Sequence, residues 1–189
     1  MNIRSTLLAA ALVATGASAQ HGGHGAHAAH AAPASPYAGL QSREIKALSA
    51  EEAQGLREGH GLRYALAAEL NGYPGPLHVL EHAEALRLSP GQRTATEALM
   101  RAHRGEAREL GARAIEAERR LDQAFAQRTV DAASLAQLTG QIGELQAQLR
   151  AAHLRTHLQQ TALLTPQQVA RYQQLRGYDA PDAPRKQQP

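Results

Sequence analysis

Two pairs of histidines stand out because each has helical spacing. His78 and His82 bracket Val79-Leu80-Glu81, and His153 and His157 bracket Leu154-Arg155-Thr156. Side chains four residues apart leave a helix from the same face. Each pair could offer two neutral imidazoles to one ion, and two pairs from different helices could complete a four-ligand site. His103 and Glu97 lie between the pairs in sequence and are secondary candidates. The plainer reading of any one pair is two boundary histidines on an amphipathic helix; a second pair with the same spacing favours metal. The chain has no cysteine and one methionine beyond the initiator. Ligands must then be imidazole, carboxylate or water, and a methionine-lined copper(I) site is unsupported. Zinc, copper(II), nickel and cobalt are the ions such donors would take.

His78-Val79-Leu80-Glu81-His82 also reads as H-x-x-E-H, an inverted zinc-peptidase signature. A zinc hydrolase needs an open coordination position, a general base and walls that bind substrate. One Phe, five Tyr and no Trp argue for a thin helical protein with no evident cleft. The peptidase is the remote alternative, Glu81 reads as a surface carboxylate, and no enzymatic activity is expected.

The N-terminus reads as an export signal: Arg4, an apolar run from Leu7 to Val13, and Ala17-Ser18-Ala19 before Gln20. Residues 20–36 form a low-complexity tail in which His21, His24, His27 and His30 recur every third residue. Such a tail can scavenge metal without a defined geometry. The formal charge is +3, with basic and acidic residues interleaved as on a solvated helix face, so no nucleic-acid partner is expected. No later segment is apolar for long enough to span a bilayer.

The candidate ligands need helices to hold them. Residues 42–70 have helical character, with Ser49 and Glu52 forming a capping box and Gly59-His60-Gly61 interrupting. Asn71 to Pro76 is a strong turn that leads into the His78 helix. Leu88-Ser89-Pro90-Gly91-Gln92 and Leu164-Thr165-Pro166-Gln167-Gln168 repeat one pattern. Ser89 and Thr165 suit N-caps, the prolines suit N1, and Gln92 and Gln168 can bond back from N3. Two long helices lie between these motifs, about Pro90–Ala126 and Ala132–Thr161, with Asp131 or Thr129 capping the second. The first offers Leu99, Leu110, Ile115, Leu121 and Phe125 as apolar contacts. Leu135, Leu138, Ile142, Leu145, Leu149 and Ala152 give the second a three-four apolar stripe. A short loop between such helices makes an antiparallel hairpin, followed by a short helix at Pro166–Arg176.

The expected fold is therefore all-α: a long hairpin with short flanking helices, and a homodimer, since one hairpin covers its own stripe poorly. The expected organisation is a signal at 1–19, a His-rich tail at 20–36, an N-terminal helical segment and turn at 37–76, a hairpin domain at 77–176 and a disordered tail at 177–189. At about 100° per residue, His153 falls about 60° and His157 about 100° from the centre of the stripe, at its edge. A bend near Val130 puts His157 opposite Ala102, with His103 and Glu106 within about a turn.

These features together resemble the Spy/CpxP superfamily. The resemblance rests on the LTxxQ-like pair "LSPGQ" and "LTPQQ", and on "ALAAELNGYPGPLHVLEHAEALRLSPGQ" and "LRAAHLRTHLQQTALLTPQQVARY", and it covers roughly Tyr37 to Tyr178. It implies a periplasmic, all-helical, hooked dimer without enzymatic activity. Two roles occur in that superfamily: metal sensing or resistance, in which the metal state can pass to an inner-membrane partner, and ATP-independent holding of unfolded clients. In the cobalt–nickel sensor branch the ligands follow H-x-x-x-H, a Glu on the first long helix, and H-x-x-x-M. By that resemblance His78, His82, Glu97 and His153 would be ligands, and His157 stands where that branch has Met, which suits zinc or copper(II) as well.

Overall fold

The computed structural model describes residues 35–178. The expected signal, the tail bearing His21, His24, His27 and His30, and the residues after Tyr178 lie outside them. Residues 37–178 belong to one compact unit. Its helices are α1 (Ala50–Glu58), α2 (Leu66–Glu69), α3 (Pro76–Glu81), α4 (Pro90–Ala126), α5 (Ala132–Ala162) and α6 (Pro166–Arg176), after one 3-10 turn at Leu40–Ser42. No strand occurs among the described residues. The long helices α4 and α5 pack together as the hairpin; α1 docks on α4, α2 on α5, and α3 on both. Arg120 bonds Gln141 near the bend and Arg155 bonds Glu106 further along, which fixes the antiparallel register.

Capping chemistry sets the helix starts. Ser49, Ser89, Asp131 and Thr165 each accept from the N3 backbone N–H, and Glu52, Gln92, Ser134 and Gln168 return the bond. Asp131, not Thr129, caps α5. At the bend, Arg128 takes a left-handed conformation (φ 56°). The Arg128 and Thr129 N–H groups then bond the Phe125 and Ala124 carbonyls, the double closure that ends many helices.

The two glutamines of the repeated motif do more than cap. Gln92 Nε2 donates to Gln168 Oε1 (2.8 Å) and to the Leu163 carbonyl (2.9 Å). Gln168 Nε2 donates to Gln92 Oε1 (3.0 Å) and to the Leu86 carbonyl (3.1 Å). Each amide oxygen also accepts its own cap N–H, from Ser89 and Thr165. The pair clips the open end of the hairpin with every donor used. Beside it Leu88 and Leu164 pack on Val79, Leu86 and Tyr172.

The main core joins Leu110, Ala114 and Ile115 of α4, Ile142, Leu145, Leu149 and Ala152 of α5, and Leu56 of α1. Gly111 allows the approach of α1: a Cβ there would stand 2.2 Å from the Leu56 carbonyl oxygen. Three expectations change. Residues 42–49 hold no α-helix: α1 starts at Ala50 after the Ser49 cap, and the expected interruption falls at Gly59, which closes α1 at φ 70°, before α2 at 66–69. Leu135 and Phe125 are exposed, since no short helix reaches the bend. The buried stripe of α5 instead continues past Ala152 through His153, Thr156 and Gln160, where α2 and α3 cover the hairpin.

Candidate functional site

That covered stretch of the hairpin contains a cleft of about 540 Å³, lined by His78, Met100, His103, His153, His157 and Glu69, among others. His103 comes from α4, His153 and His157 from α5, His78 from α3, and Glu69 from the end of α2.

His153 is buried at 4% exposure, not at the edge of the seam as its angle on α5 implies. The loop 59–65 lays Tyr64 on the ring, with centroids 5.5 Å apart. His103 meets His153 edge to face at 4.4 Å. Burial, then the neighbouring His103 and His157, pushes the His153 imidazole down to about 4. Burial likewise lowers His103, against an opposing pull from Glu106. Both rings are thus neutral at neutral pH and no proton competes for their lone pairs. His153 Nε2 and His103 Nδ1 are buried without a hydrogen-bond partner, which is unusual for buried polar atoms.

The other two histidines are held by their outer nitrogens. His157 Nδ1 donates to the Tyr73 carbonyl at 2.7 Å, which leaves Nε2 as the bare lone pair. The ring lies over Gly75, where a Cβ would stand 2.8 Å from Cε1 and 2.9 Å from Nε2. Gly75 is the N-cap of α3, in ordinary extended backbone (φ −92°), so its missing side chain makes room for the imidazole. His78 Nδ1 bonds Glu81 Oε2 at 2.8 Å, and that bond holds the Glu81 carboxyl below its usual range. Metal-binding histidines are commonly oriented by such carbonyl and carboxylate partners. Glu81, read from sequence as a bare surface carboxylate, is thus the orienter of His78.

The arrangement fits a metal ion in part. Ring nitrogens from three helices reach one cleft, and two of them are orphaned. Yet among the described residues no three His, Asp or Glu side chains lie close enough together to hold an ion as they stand. Side-chain rotation is needed to close a full coordination shell around His103, His153 and His157, with His78 at the rim. His82 caps the C-terminus of α3 (φ −101°) and does not line the cleft; the chain turns there to enter α4. Glu97 is exposed on α4 and also lies outside the cleft. His103, a secondary candidate, is inside it. Glu69 was missed, and its only signal was a carboxylate at the end of a short apolar run before the turn.

Comparison with known proteins bears on the helical hairpin and its paired caps. Residues 65–171, more than half of the chain, match the heavy-metal resistance family. The chain belongs to that family, and with it to the Spy/CpxP-like LTxxQ superfamily. No curated protein and no solved structure matches it.

Proposed function

We propose that this is an exported, periplasmic, non-enzymatic protein that binds a divalent heavy-metal ion in the histidine cleft, for resistance or sensing. The observation that carries the reading is the delivery of His78, His103, His153 and His157 by three helices to one cleft, with His103 Nδ1 and His153 Nε2 unpartnered. When bound, the ion would add a link between α4 and α5, beside the His103–His153 ring contact and the Arg155–Glu106 pair. Zinc, copper(II), nickel and cobalt remain the candidate ions, since the donors are imidazole and carboxylate. The peptidase alternative loses support because His82 is outside the cleft and Glu81 is tied to His78. Calorimetric titration of the full chain with Zn(II), Cu(II) and Ni(II), repeated with His78, His103, His153 and His157 changed to Ala, tests the reading. Unchanged binding in the quadruple variant would overturn it.

A second reading, an ATP-independent holdase, is favoured by exposed Leu62, Leu66 and Leu77 lining the cleft, with Leu70 and Tyr73 exposed as well. Exposed apolar groups of this kind mark contact surfaces. Suppression of the aggregation of an unfolding client is the test, and no protection with or without metal rejects it. Homodimerisation belongs to the proposal as well; the uncovered Leu135 and Phe125 at the bend support it, and sedimentation of the full chain tests it. A sensing role would add an inner-membrane partner.

A further inference from the structure

Charge around the cleft is unevenly matched. Three guanidinium groups, Arg63, Arg104 and Arg176, line it against one carboxylate, Glu69. Glu69 is already engaged. Its Oε1 accepts from Arg176 Nε at 3.3 Å and from the Tyr172 and Tyr178 hydroxyls, and its Oε2 faces the N–H side of His157 at 3.8 Å. Glu58 and Glu81 are engaged as well, by the lining histidines His60 at 2.9 Å and His78 at 2.8 Å. Among the described residues, Arg63 and Arg104 have no ion pair. One stands on the loop 59–65 and the other on α4, so two uncompensated guanidiniums reach the cleft from different elements.

The rest of the lining suits the body of a small molecule. Leu62, Leu66, Leu77 and Met100 give the cleft an apolar wall. Its volume of about 540 Å³ falls within the range of about 300–1,000 Å³ usual for small-ligand sites. His153 is 4% exposed, and its Nε2 and the His103 Nδ1 lack hydrogen-bond partners. A neutral imidazole nitrogen gives or takes one hydrogen bond according to its tautomer, so an oxygen-bearing ligand can satisfy both. Leu62 and Arg63 also hold left-handed backbone (φ 38° and 68°), which strains side chains other than glycine. Strain of this kind collects at ligand-binding sites.

We propose that the cleft binds a small organic carboxylate with an apolar body, its head on Arg63 and Arg104 and its body along Leu62, Leu66 and Leu77. A guanidinium meets a carboxylate through two parallel hydrogen bonds, and the body displaces water from the apolar wall. An inorganic anion would leave that wall uncovered, and an organic cation would meet the excess of positive charge. The proposal goes beyond the metal-binding reading and does not rest on it, since charge pairing and apolar contact need no metal.

The test is calorimetry of the full chain in metal-free buffer with decanoate as the probe. Acetate, with the same head and no body, and decyltrimethylammonium, with the same body and the opposite charge, are the comparators. Decanoate should bind at one per chain with a Kd of about 1 mM or tighter, and both comparators at least about tenfold more weakly. Arg63→Gln/Arg104→Gln should weaken decanoate by about tenfold or more, and so should Leu66→Ser/Leu77→Ser. Arg101→Gln, on α4 but outside the cleft, should match the parent. All these positions are exposed, so the fold should survive, as far-UV circular dichroism checks. Absence of decanoate binding overturns the proposal. So does parental affinity in either double variant, and so does equal binding of acetate or of the cation.

Discussion

Changing Gly75 to Ala should damage the cleft without removing any ligand. The backbone there is ordinary for alanine (φ −92°, ψ 149°), so no strain arises from conformation. Loss of unfolded-state freedom favours Ala by about 0.4–1 kcal/mol, and its poorer N-capping offsets a few tenths. Sterics decide the sign, because the new methyl would stand 2.8 Å and 2.9 Å from His157 Cε1 and Nε2. The ring must retreat by about half an ångström or more, at an overpacking cost of about 1–3 kcal/mol. It is held by the 2.7 Å bond to the Tyr73 carbonyl, and breaking that bond costs about 0.5–1.5 kcal/mol more. The net expectation is a loss of about 1–3 kcal/mol, or roughly 2–12 °C in Tm at about 2–4 °C per kcal/mol. Zinc affinity should fall about 10–100-fold, as when an orienting contact is lost. Thermal unfolding by far-UV circular dichroism and zinc calorimetry, in a chain with His21, His24, His27 and His30 changed to Ala, measure both. Wild-type Tm together with wild-type zinc affinity would refute the account of how His157 is positioned.

The same Gly-to-Ala change should have opposite signs elsewhere. Gly111→Ala should destabilise by more than about 1 kcal/mol, since its Cβ meets the Leu56 backbone. Gly140→Ala, with open space around it, should stabilise by up to about 1 kcal/mol; urea unfolding compares them. Gln168→Glu keeps the cap acceptor but loses both amide donors to Leu86 and Gln92, so about 1–3 kcal/mol should go, with partial recovery in the Gln92→Ala background. Without metal, stability should fall as pH drops from about 6.5, the unfolded histidine value, toward about 4, the folded value of His153. The unfolded state binds the extra proton in that window. The loss approaches about 3 kcal/mol, and His153→Phe should flatten it in unfolding curves across pH.

Local chemistry was the readable part of the sequence. The starts of α4, α5 and α6 follow from Ser89, Pro90, Asp131, Thr165 and Pro166, because a cap depends on neighbours three residues away. The partnership of Gln92 with Gln168 spans 76 residues and depends on how the hairpin closes, so only its capping half was visible. The site followed the same rule. Spacing on α5 put His153 and His157 on one face, and both line the cleft, but burial of His153 comes from Tyr64 in a loop whose path includes left-handed Leu62 and Arg63 (φ 38° and 68°). Spacing around α3 misled, because the helix stops at Glu81 and His82 leaves with the turn. Glu69 has no periodic partner at all; only the fold brings it to His157, to Tyr172 of α6 and to Tyr178 just after it.

The central claim is that one divalent ion binds among His103, His153 and His157 in the cleft. Crystals of the full chain grown with zinc, with anomalous scattering recorded at the zinc edge, test it most directly. A bound ion should give a peak in the cleft about 2.0–2.1 Å from ring nitrogens of these histidines. A zinc peak only on other residues, with the cleft rings unmoved, would contradict it.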